Sequence, residues 1–277
     1  AAQPHLHICS PSELGAAFWK QLRKRQVPYA LIVDHANKDE IEWRTFMGTY
    51  KGATDIITKR LWPVPAFHVT RALASMSVTP NAVTALAAIL VVVAFFLFLN
   101  AHFAWGLVAA WLMTFLDTVD GKLARTTLTS SKSGDVFDHA IDLIHPPFWY
   151  VAWALGLAAA GFAWSTATFW WVIGIILGGY LVQRLMEGAA IKWLGMEIHI
   201  WRPIDTRFRE ITARRNPNLI ILTLSVVIGR PDLGLIAVAA WTAVCLLLHA
   251  FQLVHAFVVK RRNGHLGSWM RDPASIK

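Results

Sequence analysis

Long uncharged stretches dominate the pattern of the chain. No Asp, Glu, Lys or Arg occurs in residues 72–116, 143–183 or 233–259. A helix that crosses a bilayer needs about 20 apolar residues, so the first two stretches can each hold a helical hairpin and the third can hold one helix. This pattern predicts an all-α integral membrane protein with six transmembrane helices. The expected spans are 80–99, 102–119, 135–160, 165–187, 216–230 and 233–259, of which the fifth has the shortest uncharged core.

The first 50 residues are different, because apolar and charged positions alternate there over short distances. The pattern predicts an amphipathic helix over residues 14–26, a buried strand over 27–34 and a second short helix over 38–46. Together these elements would form a small N-terminal α/β segment on the cytoplasmic side of the membrane.

Residues 51–78 mix basic, aromatic and apolar side chains around Pro63 and Pro65, which is typical of an interfacial helix on a membrane surface. Thr79 and Pro80 are favoured as the N-cap and the first-turn residue of the span that follows. The predicted organisation is therefore a cytoplasmic segment at 1–50, an interfacial region at 51–78, a six-span domain at 79–260 and a cytoplasmic tail at 261–277.

Composition and charge support a membrane location. The 277 residues are 56% hydrophobic with a mean hydropathy of +0.45, too apolar for a domain with an ordinary soluble surface. The net charge is +9, but the basic residues flank the apolar stretches, so anionic lipids are expected as neighbours and nucleic acid is not. The turns at 100–102 and 161–165 carry no Lys or Arg. The positive-inside rule therefore places both termini and the 120–134 and 188–215 connections in the cytoplasm, with the chain in the inner (cell) membrane.

Acidic residues return where the second predicted span ends. Asp117 and Asp120 are three residues apart and share one helix face, and Asp138 and Asp142 are four apart near the start of the third span. A short connection joins the two helices, so the four carboxylates are expected to converge at the membrane boundary. Taken singly, such a residue is as often a solvated span end as a functional group. Together they need a cation between them, and carboxylate oxygens suit Mg²⁺ or Mn²⁺.

The aspartates belong to a longer motif, which reads Asp117-x2-Asp120-Gly121-x2-Ala124-Arg125-x8-Gly134-x3-Asp138-x3-Asp142. This motif resembles the signature of the CDP-alcohol phosphotransferase family at all eight positions and at the family's spacing. The resemblance extends over residues 51–260. More weakly, residues 51–62 and 79–81 resemble the branch of the family that makes di-myo-inositol phosphate phosphate.

The resemblance implies a homodimeric membrane enzyme of phospholipid biosynthesis. It would transfer a phosphoalcohol from a CDP-alcohol donor to an acceptor hydroxyl and release CMP. Asp117, Asp120, Asp138 and Asp142 would bind two divalent ions, Mg²⁺ or Mn²⁺, and Asp142 would also act as the general base. The residues expected to shape the nucleotide pocket are Gly121, Ala124, Arg125, Gly134, Asn81 and Thr84.

The sequence does not identify the donor or the acceptor. Seven basic residues occur from Arg184, near the end of the fourth predicted span, to Arg215, just before the fifth. They are more than membrane anchoring needs, and they predict a basic pocket beside the metal site. Arg214 and Arg215 serve either as anchors or as contacts for a phosphate on the acceptor. The substrates are lipids, or they are water-soluble, such as CDP-inositol and inositol phosphate. A cation carrier and an inactive membrane anchor are the non-enzymatic alternatives.

Overall fold

A computed structural model describes residues 17–19, 22–26 and 29–271 of the chain. Within these ranges the backbone alone is described for residues 17–19 and for Lys132, Ser133, Asp135 and Asp138. The described chain is mostly helical, with one two-stranded antiparallel sheet near the N-terminus.

The main helices follow one another with short connections. They are α1 (Lys38–Gly48), α2 (Pro63–Ser75), α3 (Pro80–Leu99), α4 (Phe103–Thr126), α5 (Lys132–Ala159), α6 (Thr166–Ala189), α7 (Pro203–Ile211), α8 (Arg215–Val227) and α9 (Pro231–Asn263). Single turns of π-helix at Ile57–Leu61 and Ala190–Leu194 and of 3₁₀-helix at Ile198–Ile200 complete the helical elements. As predicted, the Thr79 side chain caps α3 by accepting a hydrogen bond from the Ala82 N–H (3.3 Å).

Four helices within the described residues are long and apolar enough to cross a membrane, namely Pro80–Leu99, Phe103–Thr126, Thr166–Leu194 and Pro231–Asn263. The chain is thus a membrane protein with predominantly helical structure. The predicted count of six spans is not confirmed. Helix α8 has 13 residues, which at 1.5 Å per residue extend about 20 Å, short of the roughly 30 Å hydrocarbon core.

The N-terminal segment departs from its sequence-based prediction. Helix α1 is present, but the helix expected over residues 14–26 is wrong in its described part, because strands β1 (Ala17–Trp19) and β2 (Lys24–Gln26) form a hairpin. Lys24 Nζ donates hydrogen bonds to the backbone carbonyls of Met47 (3.3 Å) and Gly48, at the end of α1. Such tertiary contacts stabilise the hairpin, and they cannot be predicted from the local spacing of apolar residues.

The buried strand expected over residues 27–34 is also wrong in its described part. Ile32 and Val33 are 85% and 77% exposed, and residues 29–34 form neither strand nor helix. Asp34 and Asn37 instead exchange side-chain-to-backbone hydrogen bonds in a turn just before α1 (3.1 and 2.9 Å). A short apolar run does not identify a strand unless a partner strand is available to pair with it.

Packing of α3, α4 and α5 brings the motif helices together. The core of this bundle includes Phe98, Phe103 and Trp153, whose rings contact one another. Trp153 also donates its indole N–H to the Pro231 carbonyl (3.1 Å), which ties α5 to α9. A second cluster containing Phe46, Phe67 and Leu123 holds α1 and α2 against the last turns of α4. The site residues at the end of α4 therefore lie between two packed clusters.

Candidate active site

The acidic residues of the motif lie on adjacent helices. Asp117 and Asp120 occupy the last turns of α4, and Asp142 lies near the start of α5. Thr84, on α3, donates a hydrogen bond from Oγ1 to Asp120 Oδ2 (2.6 Å). Asp120 is buried, and its Oδ1 has no hydrogen-bond partner among the described residues. A buried carboxylate oxygen without a donor is suited to accept a cation or a further ligand.

Arg215, the first residue of α8, links the two motif helices. Its guanidinium group donates to Asp117 Oδ2 and to Asp142 Oδ1. One guanidinium group therefore bridges carboxylates from α4 and α5. The side chain of Asp138 lies outside the described residues, and within those residues no group of three His, Cys, Asp or Glu side chains is arranged to hold a metal ion.

A small cavity of about 80 Å³ adjoins the aspartates. All six residues expected to shape the nucleotide pocket line it: Asn81, Thr84, Gly121, Ala124, Arg125 and Gly134. Space is tight at Gly134, where an added Cβ would lie 2.6 Å from Asn81 Oδ1. Glycine at this position therefore allows the start of α5 to approach α3 closely.

A larger cavity of about 540 Å³ shares Gly121 and Arg125 with the small one. Asp117 and Asp142, which both contact Arg215, line this cavity, and we call them the acidic wall. Four arginines that also line it are called the basic wall: Arg23, Arg184, Arg209 and Arg214.

The predicted basic pocket is therefore only partly built as expected. Of the seven basic residues from Arg184 to Arg215, four line the large cavity: Arg184, Arg209, Arg214 and Arg215. Arg202 instead pairs with Asp205 (2.8 Å), on the same helix turn. Lys192 and Arg207 do not belong to the cavity lining in the described structure.

Glu187 organises the basic wall. Its carboxylate pairs with Arg214, with Arg184 (3.1 Å) and with the Nε2–H of His199 (3.2 Å). His199 is buried, and this burial lowers the pKa of its imidazole to about 3, although the hydrogen bond to Glu187 opposes the shift. His199 is therefore neutral at physiological pH and acts as a hydrogen-bond donor to the carboxylate.

Arg209 has fewer partners than its neighbours. It is 8% exposed, and its Nε and Nη1 have no hydrogen-bond partner among the described residues. Burial, and then repulsion from Arg214, lower the pKa of its guanidinium well below the usual range. A buried guanidinium with unused donors at a cavity wall is suited to bind an anion.

Several cavity residues were not identified by the sequence analysis. Lys122, inside the motif, is buried, donates to the Thr49 carbonyl (3.1 Å) and lies 3.4 Å from the centroid of the Tyr50 ring. Glu187 carried a usable signal, because a charged residue within an otherwise apolar helix is commonly functional. The cavity residues without such a signal include Arg23, Lys51, Asp55 and His199.

Comparison with known proteins identifies the class of enzyme. The family model for CDP-alcohol phosphatidyltransferase matches residues 77–210, a range that contains the whole aspartate motif. The chain contains a CDP-alcohol phosphatidyltransferase domain, and it is an enzyme that transfers substituted phosphate groups. The predicted family membership is thereby confirmed.

One curated relative is similar to a large part of this chain. The chain is similar to the archaetidylinositol phosphate synthase of Pyrococcus horikoshii, with 26% identity over 181 residues, which cover 64% of this chain and 85% of the relative. The weaker likeness to the branch that makes di-myo-inositol phosphate phosphate stays a prediction.

Proposed function

We propose that this enzyme transfers a phosphoalcohol from a lipid CDP-alcohol to a hydroxyl group of a polyol phosphate and releases CMP, in phospholipid biosynthesis. The observation that carries the proposal is the large cavity, which is lined both by acidic residues of the family motif and by several arginines. The acidic wall suits the donor pyrophosphate together with its counter-ions, and the basic wall suits a phosphate on the acceptor. The name of the curated relative, a synthase of archaetidylinositol phosphate, points to the same acceptor class.

The residues present fit divalent cations. Asp117 and Asp142 already share one cationic group, Arg215, and Asp120 keeps a buried oxygen without a hydrogen-bond partner among the described residues. In the proposal, Asp117, Asp120, Asp138 and Asp142 hold two Mg²⁺ or Mn²⁺ ions, which are the ions that carboxylate oxygens favour. Bound there, the ions would neutralise the charge of the donor pyrophosphate.

The chain's own residues supply the rest of the mechanism. Asp142 removes the proton from the acceptor hydroxyl, whose oxygen then bonds to the donor phosphorus nearest the alcohol. The bond from that phosphorus to the oxygen of CMP breaks, and CMP leaves. Asn81, Thr84, Gly121, Ala124, Arg125 and Gly134 shape the pocket for the nucleotide, a role supported by the small cavity that they line.

The two adjacent arginines at the start of α8 have different surroundings. Arg215 is engaged by Asp117 and Asp142, so in the proposal it neutralises the acidic wall. Arg214 pairs with Glu187 on the basic wall, beside Arg209. Arg214 is therefore the better candidate for contact with the acceptor phosphate.

The proposal includes the membrane topology expected from the sequence. Helices α5 and α8 would complete six spans, and the termini and the cavity would face the cytoplasm of a homodimer in the inner membrane. A cysteine at Arg207 tests the orientation, since this residue is exposed on α7 and lies outside the cavity lining. In intact cells it should resist membrane-impermeant thiol reagents and react after permeabilisation. Labelling from outside would reverse the orientation.

The reaction is tested with purified protein and a matrix of substrates. The donors are CDP-diacylglycerol, CDP-archaeol, CDP-inositol and CDP-choline, and each is combined with inositol, inositol phosphate or glycerol 3-phosphate in the presence of Mg²⁺ or Mn²⁺. We expect CMP release with a lipid donor and a phosphorylated acceptor, and loss of activity on chelation. Release only with CDP-inositol would replace the lipid donor by a water-soluble one. No release from any pair would refute the proposed function.

A further inference from the structure

The turn of the N-terminal hairpin reaches the large cavity. Arg23 lies in this turn with a backbone φ of 49°, a conformation that residues other than glycine rarely adopt. Its side chain is part of the basic wall. Because the family match begins at residue 77, Arg23 comes from a part of the chain that the family model does not cover.

Specific contacts hold the turn in place. The Gly52 N–H donates to the Leu22 carbonyl (2.8 Å). A Cβ added at Gly52 would lie 2.3 Å from the carbonyl oxygen of Arg23, so only glycine permits this approach. Together with the contacts of Lys24 at the end of α1, these interactions fix the position from which Arg23 extends. The unusual backbone conformation is thus maintained at the point where the side chain meets the cavity.

The Arg23 guanidinium group is incompletely paired. Its Nη1 lies 3.1 Å from Glu197 Oε2 and 3.4 Å from the Ala53 carbonyl oxygen, while its Nε is buried without a hydrogen-bond partner among the described residues. Its charge also contributes to lowering the pKa of Arg209, after the larger effects of burial and Arg214. Two guanidinium groups close enough to repel each other are stabilised by an anion that both contact.

We propose that Arg23 binds an anionic group of the acceptor, so that the N-terminal hairpin is a specificity-determining part of the active site. The inference rests on the proposed function for the role of the cavity, and it extends that function to a residue outside the family match. The ligand chemistry is a phosphate ester, carried by a soluble acceptor or by a lipid headgroup. Glu197 orients Arg23 and competes with the phosphate for its donors.

Binding of inorganic phosphate tests this assignment without any turnover. Full-length protein in detergent is titrated calorimetrically with phosphate in the absence of donor and metal. We expect Arg23→Ala to raise the Kd about tenfold, which corresponds to about 1.4 kcal/mol, and Arg23→Lys to raise it less. Arg25→Ala, a hairpin arginine outside the cavity lining, is the matched control and should bind as the wild type does. Equal Kd values for wild type and Arg23→Ala, at equal melting temperatures, would overturn the proposal.

Glu197→Gln separates direct binding from a purely structural ion pair. If Arg23 binds the anion, the loss of the competing carboxylate should leave the Kd unchanged or lower it. If Arg23 only anchors Glu197, both variants should weaken binding to the same degree, and the proposal fails.

Two further experiments distinguish a soluble acceptor from a lipid headgroup as the carrier of the phosphate. Glycerol 3-phosphate is titrated into protein in nanodiscs of neutral lipid, and nanodiscs containing phosphatidic acid are compared with neutral ones for their effect on thermal stability. If Arg23→Ala weakens glycerol 3-phosphate binding or the effect of phosphatidic acid on thermal stability, the proposal is supported and the source is identified. If it changes neither, the proposal is overturned. Absence of CMP release by the wild type would refute the proposed function alone, because the phosphate titration still decides the role of Arg23.

Discussion

The acidic and basic walls line the same large cavity but are built in different ways. The acidic wall comes from two consecutive helices, α4 and α5, separated by five residues, 127–131. The basic wall combines the β1–β2 turn, α6, α7 and the residue before α8, which are distant in the sequence. A wall formed by one helical hairpin is set by local spacing, whereas a wall formed by four segments depends on tertiary packing. We infer that the first wall serves the chemistry common to the family and that the second adapts the enzyme to its acceptor.

The acidic wall should be most sensitive at Asp142. Asp142→Asn keeps an oxygen that faces the cavity but removes the general base, so we expect kcat to fall by roughly 10²–10⁴. CMP release measures the effect, and Mn²⁺ binding followed by electron paramagnetic resonance should be largely retained. Asp39→Asn, which changes an exposed acid on α1, is the control. Wild-type turnover of Asp142→Asn would remove this residue from the mechanism.

Asp117→Ala should weaken metal binding as well as activity, because it removes a carboxylate from the end of α4. We expect a loss of Mn²⁺ affinity on the order of 100-fold, comparable with the larger effects known for groups that support metal ligands. Calorimetric titration with Mn²⁺ gives the Kd directly. If the Kd did not change, Asp117 would have no role as a ligand.

The basic wall should respond to pH through His199. Because its pKa falls to about 3 in the folded protein, while an unfolded histidine titrates near 6.5, the unfolded state binds more protons below pH 6.5. Stability should therefore decrease by about 1 kcal/mol as the pH falls from 6.5 to 5.5, and by about 1.4 kcal/mol for the next pH unit. Thermal denaturation at several pH values measures this slope.

His199→Gln should flatten the pH dependence of the melting temperature, and His265→Gln, at an exposed position, should leave it unchanged. A slope that persists in full in His199→Gln would show that other groups control stability in this range.

Gly134 tests the small cavity, which in the proposal binds the nucleotide, separately from the two walls of the large one. Gly134→Ala would place a Cβ 2.6 Å from Asn81 Oδ1, so we expect the donor KM to rise about threefold, since a local rearrangement costs well under 1.4 kcal/mol. The acceptor KM should not change. Gly174→Ala is the matched control, because a Cβ there meets no atom of the described structure within 4 Å. An equal rise in both variants would exclude a specific effect on the pocket.

The sequence was informative where neighbouring residues share a helix. The spacing of Asp117 and Asp120, and the uncharged stretches of α3, α4, α6 and α9, depend only on helix periodicity and length. The resemblance to the family grouped Asn81, Thr84 and Gly134 before any tertiary contact was known, and all three line the small cavity.

The remaining features depend on contacts between distant segments. Arg23 reaches the cavity because Gly52 and the end of α1 hold the hairpin turn. Glu187 and His199 meet because a turn of π-helix and the segment after it fold back beside α6. Ile32 and Val33 are apolar but exposed, so an apolar run without a partner strand did not form a buried strand.

The division of labour between the two walls is tested most directly by steady-state kinetics of Arg214→Ala. This change removes one guanidinium group from the basic wall and leaves Asp117, Asp142 and Arg215 intact. We predict that the acceptor KM rises about tenfold, equivalent to about 1.4 kcal/mol, while the donor KM stays nearly constant, and that Arg207→Ala, at an exposed arginine outside the cavity lining, alters neither. Equal increases in both KM values, or no increase in either, would contradict the assignment of donor and acceptor to separate walls.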